Sequence, residues 1–169
     1  MYAKEAIQFA LTASHGAVLS VIDKMSDAPT TFPTANGGCH PLWVLGHLAF
    51  VEGMIPTVLF GTPNPVAEWQ KYFGESSEPV GNANAYPTFA EVRTKYLELR
   101  DQNLKILASL AEEDLDKPTE APPKGREDEF ATFGRSFLVL SLHQMMHRSH
   151  VTDTLRTAGR TPHAAKAYN

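Results

Sequence analysis

The chain lacks most of what a secreted, nucleic-acid-binding or strand-built protein needs. A single cysteine, Cys39, among 169 residues excludes an intrachain disulfide framework and suits a reducing, cytoplasmic setting. No run of Lys or Arg is available to follow a phosphate backbone. Fifteen basic against 19 acidic residues leave a net charge of −4, so neither a nucleic acid nor an anionic membrane is expected as partner. No apolar stretch is expected to span a bilayer, which takes about 20 residues, and the segment from Met1 to Glu5 opens an amphipathic pattern rather than a signal peptide. Period-two alternation does not persist over a strand length, and there is no internal repeat. What remains, 43% hydrophobic and 20% charged, is the composition of a soluble globular protein, read as a single domain over 1–169.

Proline is absent from 1–28, 88–117 and 124–161 although the chain has 12 of them. Helix interiors tolerate proline poorly, so these windows predict helices. In the first, Ile7, Leu11, Val18, Val21, Ile22 and Met25 form one apolar stripe. A second helix is expected from His40-Pro41, with Leu45, Leu48, Val51 and Ile55 inward, ending or kinking at Pro56. A loop-rich stretch over 61–87 follows, with a short helical turn around Ala67 to Phe73. Thr88, with Glu91 three residues on, predicts a capping box for a third helix carrying Phe89, Val92, Tyr96, Leu99, Ile106 and Leu110, with Asn103 on the same seam. Segment 112–129 holds eight acidic residues against three basic ones and reads as a solvated connection. A fourth helix is expected from about Phe130 to Ala158, with Gly159 just past its end. Four long amphipathic helices without strands predict an all-α four-helix bundle.

The chemistry-bearing pattern is His143-Gln144-Met145-Met146-His147. Histidines four apart share one helical face. That face continues through Ser136, Leu140, His150 and Thr154, while His47 shares another with Trp43, Phe50 and Met54. Imidazoles on apolar faces are costly unless hydrogen-bonded or bound to metal. Three neutral ones from two helices suit zinc, nickel, iron or another divalent transition metal. The pair alone is common in helices and weakly diagnostic. Gln144 stands where zinc metalloproteases place a glutamate base, and the repeated inward glutamates of di-iron bundles are missing. Ligation also needs each ring's second nitrogen held by a carbonyl or carboxylate; Glu52 and Asp153 lie near in sequence, but nothing in the sequence assigns them that role.

Leu42-Trp43-Val44-Leu45-Gly46-His47-Leu48-Ala49 and His143-Gln144-Met145-Met146-His147-Arg148 resemble the second- and fourth-helix signatures of the DinB-like (DinB/YfiT) superfamily. The turn at Leu115-Asp116-Lys117-Pro118 also fits that family's layout. The resemblance implies an up-down-down-up bundle with a divalent metal, zinc or nickel before iron or manganese, held by His47, His143 and His147. Three ligands plus an open position is a catalytic arrangement. Characterised relatives include S-transferases and isomerases that use low-molecular-weight thiols. The implied function is therefore a thiol-dependent transferase acting on a small electrophile. A metal-dependent hydrolase and a non-catalytic metal-binding, stress-associated protein are the alternatives. A homodimer is also implied.

The chain departs from many relatives at Ser149-His150, which brings His150 near the site as a rim histidine, a proton carrier or a fourth ligand. His40 reads as a helix cap and His15 as a half-buried histidine. His163 carries no specific role, Cys39 reads as a packed thiol, and Met145 and Met146 as core or interface filler. Arg148 is read either as an anion-binding group or as the partner of an acid on a neighbouring helix.

Overall fold

The computed structural model describes residues 2–26, 30–31 and 38–161, so the expectation for His163 lies outside the described residues. The chain is all-helical. The described residues contain five α-helices and four short 3-10 turns, with an isolated antiparallel bridge between Pro118 and Thr132 as their only strand-like pairing.

The first proline-free window forms α1 (Ala3–Ile22), prolonged by a 3-10 turn over Asp23–Met25, with the predicted stripe from Ile7 to Met25 inward. The second helix, α2 (Pro41–Phe60), starts as expected: Pro41 occupies its first turn, and His40 caps it by accepting from the Trp43 N–H at 3.0 Å. The same ring contacts the Val80 carbonyl at 3.0 Å through Nε2. Because Nδ1 is the acceptor, Nε2 carries the proton and donates to Val80.

The end expected at Pro56 is corrected: α2 runs through it to Phe60 and closes on Gly61, whose φ of 65° suits a residue without Cβ. A proline inside a helix strips the carbonyl four residues earlier of its donor. Here that carbonyl belongs to Glu52, and the Asn103 side-chain amide donates to it at 2.9 Å. A neighbouring helix thus replaces the hydrogen bond that proline removes.

Within 61–87 the expected turn is present as a 3-10 segment, Ala67–Trp69, followed by α3 (Gln70–Phe73). The helix α4 (Phe89–Ser109) has the predicted capping box, with Thr88 accepting from the Glu91 N–H and Glu91 accepting from the Thr88 N–H. The helix α5 (Phe133–Thr157) ends on Gly159 at φ 70°, where the Arg160 N–H reaches the Leu155 carbonyl at 2.8 Å in a Schellman motif.

α1 packs along α5 and α2 along α4, and α2 also meets α5. Two apolar clusters result, one containing Val18, Leu45, Phe73, Tyr96 and Val151, the other Leu11, Ile55, Leu107, Phe137 and Leu140. Along α2, α4 and α5 alike, buried polar residues fall between the members of the two clusters: Glu52, then Arg100 and Asn103, then Gln144 and His147. By length and composition alone, α2 and the stretch Ala3–Met25 would qualify as membrane spans, contrary to the expectation for apolar runs. In α2 that apolar content faces protein, with 83% of the span buried.

Candidate metal centre

His47 on α2 and His143 and His147 on α5 come together: one ring nitrogen from each lies within 4.8 Å of the others. His47 is held on both sides. Trp43, one turn earlier, stacks on its ring at 4.8 Å and 8°. Its Nδ1 meets the Phe73 carbonyl at 2.7 Å. A carbonyl only accepts, so Nδ1 carries the proton and Nε2 turns a lone pair inward. That Nε2 lies 3.2 Å from His143 Nε2, which lies 3.1 Å from His147 Nε2.

Zinc–nitrogen bonds of about 2.0–2.1 Å place neighbouring ligand nitrogens roughly 3.0–3.4 Å apart, so the observed spacing fits. Hydrogen bonding among the three rings alone serves them poorly. The Nδ1 atoms of His143 and His147 are buried without a partner among the described residues. All three rings are kept neutral, as metal ligation requires. Burial, then the neighbouring imidazoles, pushes His147 down to about 2. His143 falls to about 3 through burial, His47, Arg126 and His150. Burial lowers His47 too, with the Phe73 hydrogen bond opposing. The cluster could hold a divalent metal ion through three Nε2 atoms.

His47 and His143 also line a cavity of about 140 Å³. Its wall is apolar, built by Phe50, Met54 and Val58 from α2, Val139 and Leu140 from α5, and Phe130. Lys124, Arg126 and Glu75 add charge. Segment 112–129 therefore does more than connect. It is pinned to α2 where the Glu120 and Ala121 N–H groups both reach the Val58 carbonyl at 3.1 Å, and it contributes Pro123, Lys124 and Arg126 to the cavity.

A model of the DinB superfamily matches residues 10–151. The chain belongs to the DinB superfamily. The match covers more than four-fifths of the sequence and includes all three clustered histidines. No curated protein and no solved structure shows significant similarity to it.

Other predicted residues fall outside the cluster. His150 is half-buried, its ring 5.1 Å from that of His147 and outside the convergent group. His15 pairs with the Tyr96 hydroxyl at 3.0 Å, and burial followed by Arg100 and Arg93 lowers it to about 4. Burial and Glu78 push the half-buried Cys39 thiol up, as expected for a packed rather than a reactive cysteine. Arg148 makes no ion pair with an acid among the described residues; its Nε donates to the Ala17 carbonyl of α1 at 3.2 Å. Met145 and Met146 are corrected from core filler to surface, 45% and 55% exposed, because the inward face of α5 runs through Leu140, Gln144, His147 and Val151.

Neither carboxylate near the histidines in sequence holds a ligand's second nitrogen among the described hydrogen bonds. Asp153 is exposed, and Glu52 touches no histidine. The side chain of Glu52 instead accepts from Arg100 Nη1 at 2.9 Å, Asn103 Nδ2 at 2.6 Å and Gln144 Nε2 at 2.6 Å. Complete burial pushes its carboxyl up, and the guanidinium and amide donors offset part of that.

Proposed function

We propose that this DinB-superfamily protein is a metal-dependent enzyme, an S-transferase that joins a low-molecular-weight thiol to a small electrophile. In this reading His47, His143 and His147 hold one divalent metal, zinc or nickel before iron or manganese, and the four long helices form an up-down-down-up bundle. The convergence of three Nε2 atoms, one oriented by a backbone carbonyl, carries the reading. When bound, such a metal leaves a coordination position open and lowers the pKa of a thiol or water that reaches it.

The protein supplies the rest. Phe73 and Trp43 fix the His47 ring, and burial keeps all three imidazoles unprotonated. The apolar wall from Phe50 to Val58 offers an electrophile a dry surface beside His47 and His143. At about 140 Å³ the cavity suits a single ring or a short alkyl chain, since a cavity near 150 Å³ holds benzene. Hydrolysis is the second reading, favoured by Glu75, a carboxylate on the same cavity able to take a proton from an attacking water.

Leu138, Leu142 and Met145 lie at i, i+4 and i+7 on α5 and are each more than 40% exposed, which supports a homodimer through that face.

The test is elemental analysis of untagged protein purified without added metal, beside His47→Ala and His147→Ala. One metal per chain, lost in both variants while helicity stays, is the expected result. Cobalt-substituted protein should then develop a sulfur-to-cobalt charge-transfer band when a small thiol is added. A metal without that band removes the transferase reading. If Tm alone depends on the metal, its role is structural and the protein non-catalytic. Failure to take up zinc, nickel, manganese or iron removes the metal itself.

A further inference from the structure

We propose that Gln144 and Glu52 are positioning residues for the histidine cluster, their buried hydrogen bond setting where His143 and His147 stand against His47. The inference rests on the metal reading above and adds to it the side chains that fix the ligand geometry.

Gln144 lies between the two α5 histidines in sequence and is fully buried. Its Nε2 donates to Glu52 Oε1 at 2.6 Å across the contact between α5 and α2. Glu52 follows His47 by five residues, about 7.5 Å along the helix axis. The tie therefore crosses the same helix pair as the cluster, beside it.

Its anchor is rigid. Arg100 Nη1 donates to Glu52 Oε1 at 2.9 Å, and Asn103 Nδ2 to Oε2 at 2.6 Å. Asn103 also donates to the Glu52 carbonyl that Pro56 leaves free, at 2.9 Å. Arg100 Nη2 reaches on to the Leu11 carbonyl of α1. The carboxylate of α2 thus gathers donors from α4 and α5, and Arg100 carries the network on to α1.

Apolar contact between two helices tolerates sliding and rotation; a short hydrogen bond to a fixed acceptor does not. Rotating α5 by about 20° would carry a ring nitrogen about 6 Å from its axis through roughly 2 Å. Ligand distances tolerate about 0.2 Å. A buried charge network contributes little net stability compared with apolar packing of the same volume, so geometric specification is the better account of its presence here.

The experiment compares zinc affinity, by competition with a chromophoric chelator, in wild type, Gln144→Met and Leu107→Ala, at a temperature well below each Tm. Leu107 is buried in the second apolar cluster and serves as the stability control. Gln144→Met should bind zinc about 10–100-fold more weakly, the usual effect of losing a supporting partner, and its cobalt ligand-field spectrum should change. Leu107→Ala should lower Tm while keeping wild-type affinity and spectrum. If Gln144→Met does not fold, Gln144→Asn, which keeps an amide but shortens its reach, is measured on the same scale. Wild-type zinc affinity and cobalt spectrum in the folded variant would overturn the positioning role alone. A wild type that takes up no metal overturns the metal reading instead, whatever the variants do.

Discussion

Gly46→Ala tests how tightly the fold is built around the cluster. On an isolated helix the change is favourable by about 1 kcal/mol, since glycine is a poor helix residue. In the protein, a Cβ at position 46 would stand 2.3–2.4 Å from three ring atoms of Phe73. That ring has nowhere to go: Phe73 is fully buried, with Tyr86 stacked on it at 5.4 Å and Trp69 against it at 5.5 Å. Overpacking of this kind costs about 1–3 kcal/mol, and a clash with three atoms of a confined ring belongs in the upper half of that range. Subtracting the helix gain leaves a net loss of about 1–2 kcal/mol, or a Tm lower by roughly 2–8 °C for a domain of this size.

The displacement has a second readout. Phe73 is the residue whose carbonyl receives the His47 Nδ1 proton at 2.7 Å, so moving it loosens the ring that presents Nε2. Thermal melts of chelator-treated protein measure the first effect, and competition titration with zinc the second, expected at about tenfold weaker affinity. A Gly46→Ala protein that melts above wild type would show that helix propensity governs this position and would refute the packing argument.

Three further outcomes follow from the same geometry. Arg100→Met leaves the Glu52 carboxylate buried without its cation and should cost about 3–5 kcal/mol in urea denaturation; a loss below about 1 kcal/mol would mean that Glu52 is not held as a charge. The folded pKa values of His143 and His147, about 3 and about 2, lie below the ordinary 6.5, so the fold favours the neutral rings: stability is complete above pH 6.5 and is lost as pH falls from there toward 3. Two such groups lose about 2–3 kcal/mol between pH 6.5 and 5.5, so metal-free protein should melt several degrees lower at pH 5.5, and a flat profile would sink the assignment. Leu142→Glu, at a side chain 70% exposed on α5, should convert a dimer to a monomer in sedimentation velocity without lowering helicity; an unchanged sedimentation coefficient would rule out that face as the interface.

The helices were legible because their signals are local. Proline-free windows, the Thr88 capping box and Gly159 each act within a few residues of themselves. The histidines were legible because spacing by four and an apolar face put His143 and His147 together and His47 stood on an apolar face of a second helix, while the family resemblance joined the three as one ligand set. What stayed hidden depends on contacts between distant segments. Pro56 reads as a helix end unless Asn103, on another helix, is known to supply its missing donor. The group that orients His47 is a backbone carbonyl at Phe73, which leaves no mark in the residue type. Nothing local singles out Arg100, since arginine is usually exposed, yet it is 2% exposed. Segment 112–129 reads as solvent-facing because its charges dominate its composition, while Pro123, Lys124 and Arg126 border the cavity.

The polar layer between the two apolar clusters explains why a cluster of three imidazoles can persist inside a helical core. The His143 and His147 rings alone would favour rotating toward water, because the buried Nδ1 of each lacks a partner among the described residues. α2 and α5 prevent that by fixing their mutual register twice, through apolar packing at Leu48, Ile55 and Leu140 and through the Glu52 carboxylate that gathers donors from α4 and α5. The carboxylate takes no ligand role, and its contribution is to make one helix arrangement lower in energy than its rotated neighbours. Removing the carboxylate and removing a histidine should therefore fail differently. Without a histidine the donor set is incomplete in an otherwise intact helical fold. Without the carboxylate, all three donors remain but no longer converge.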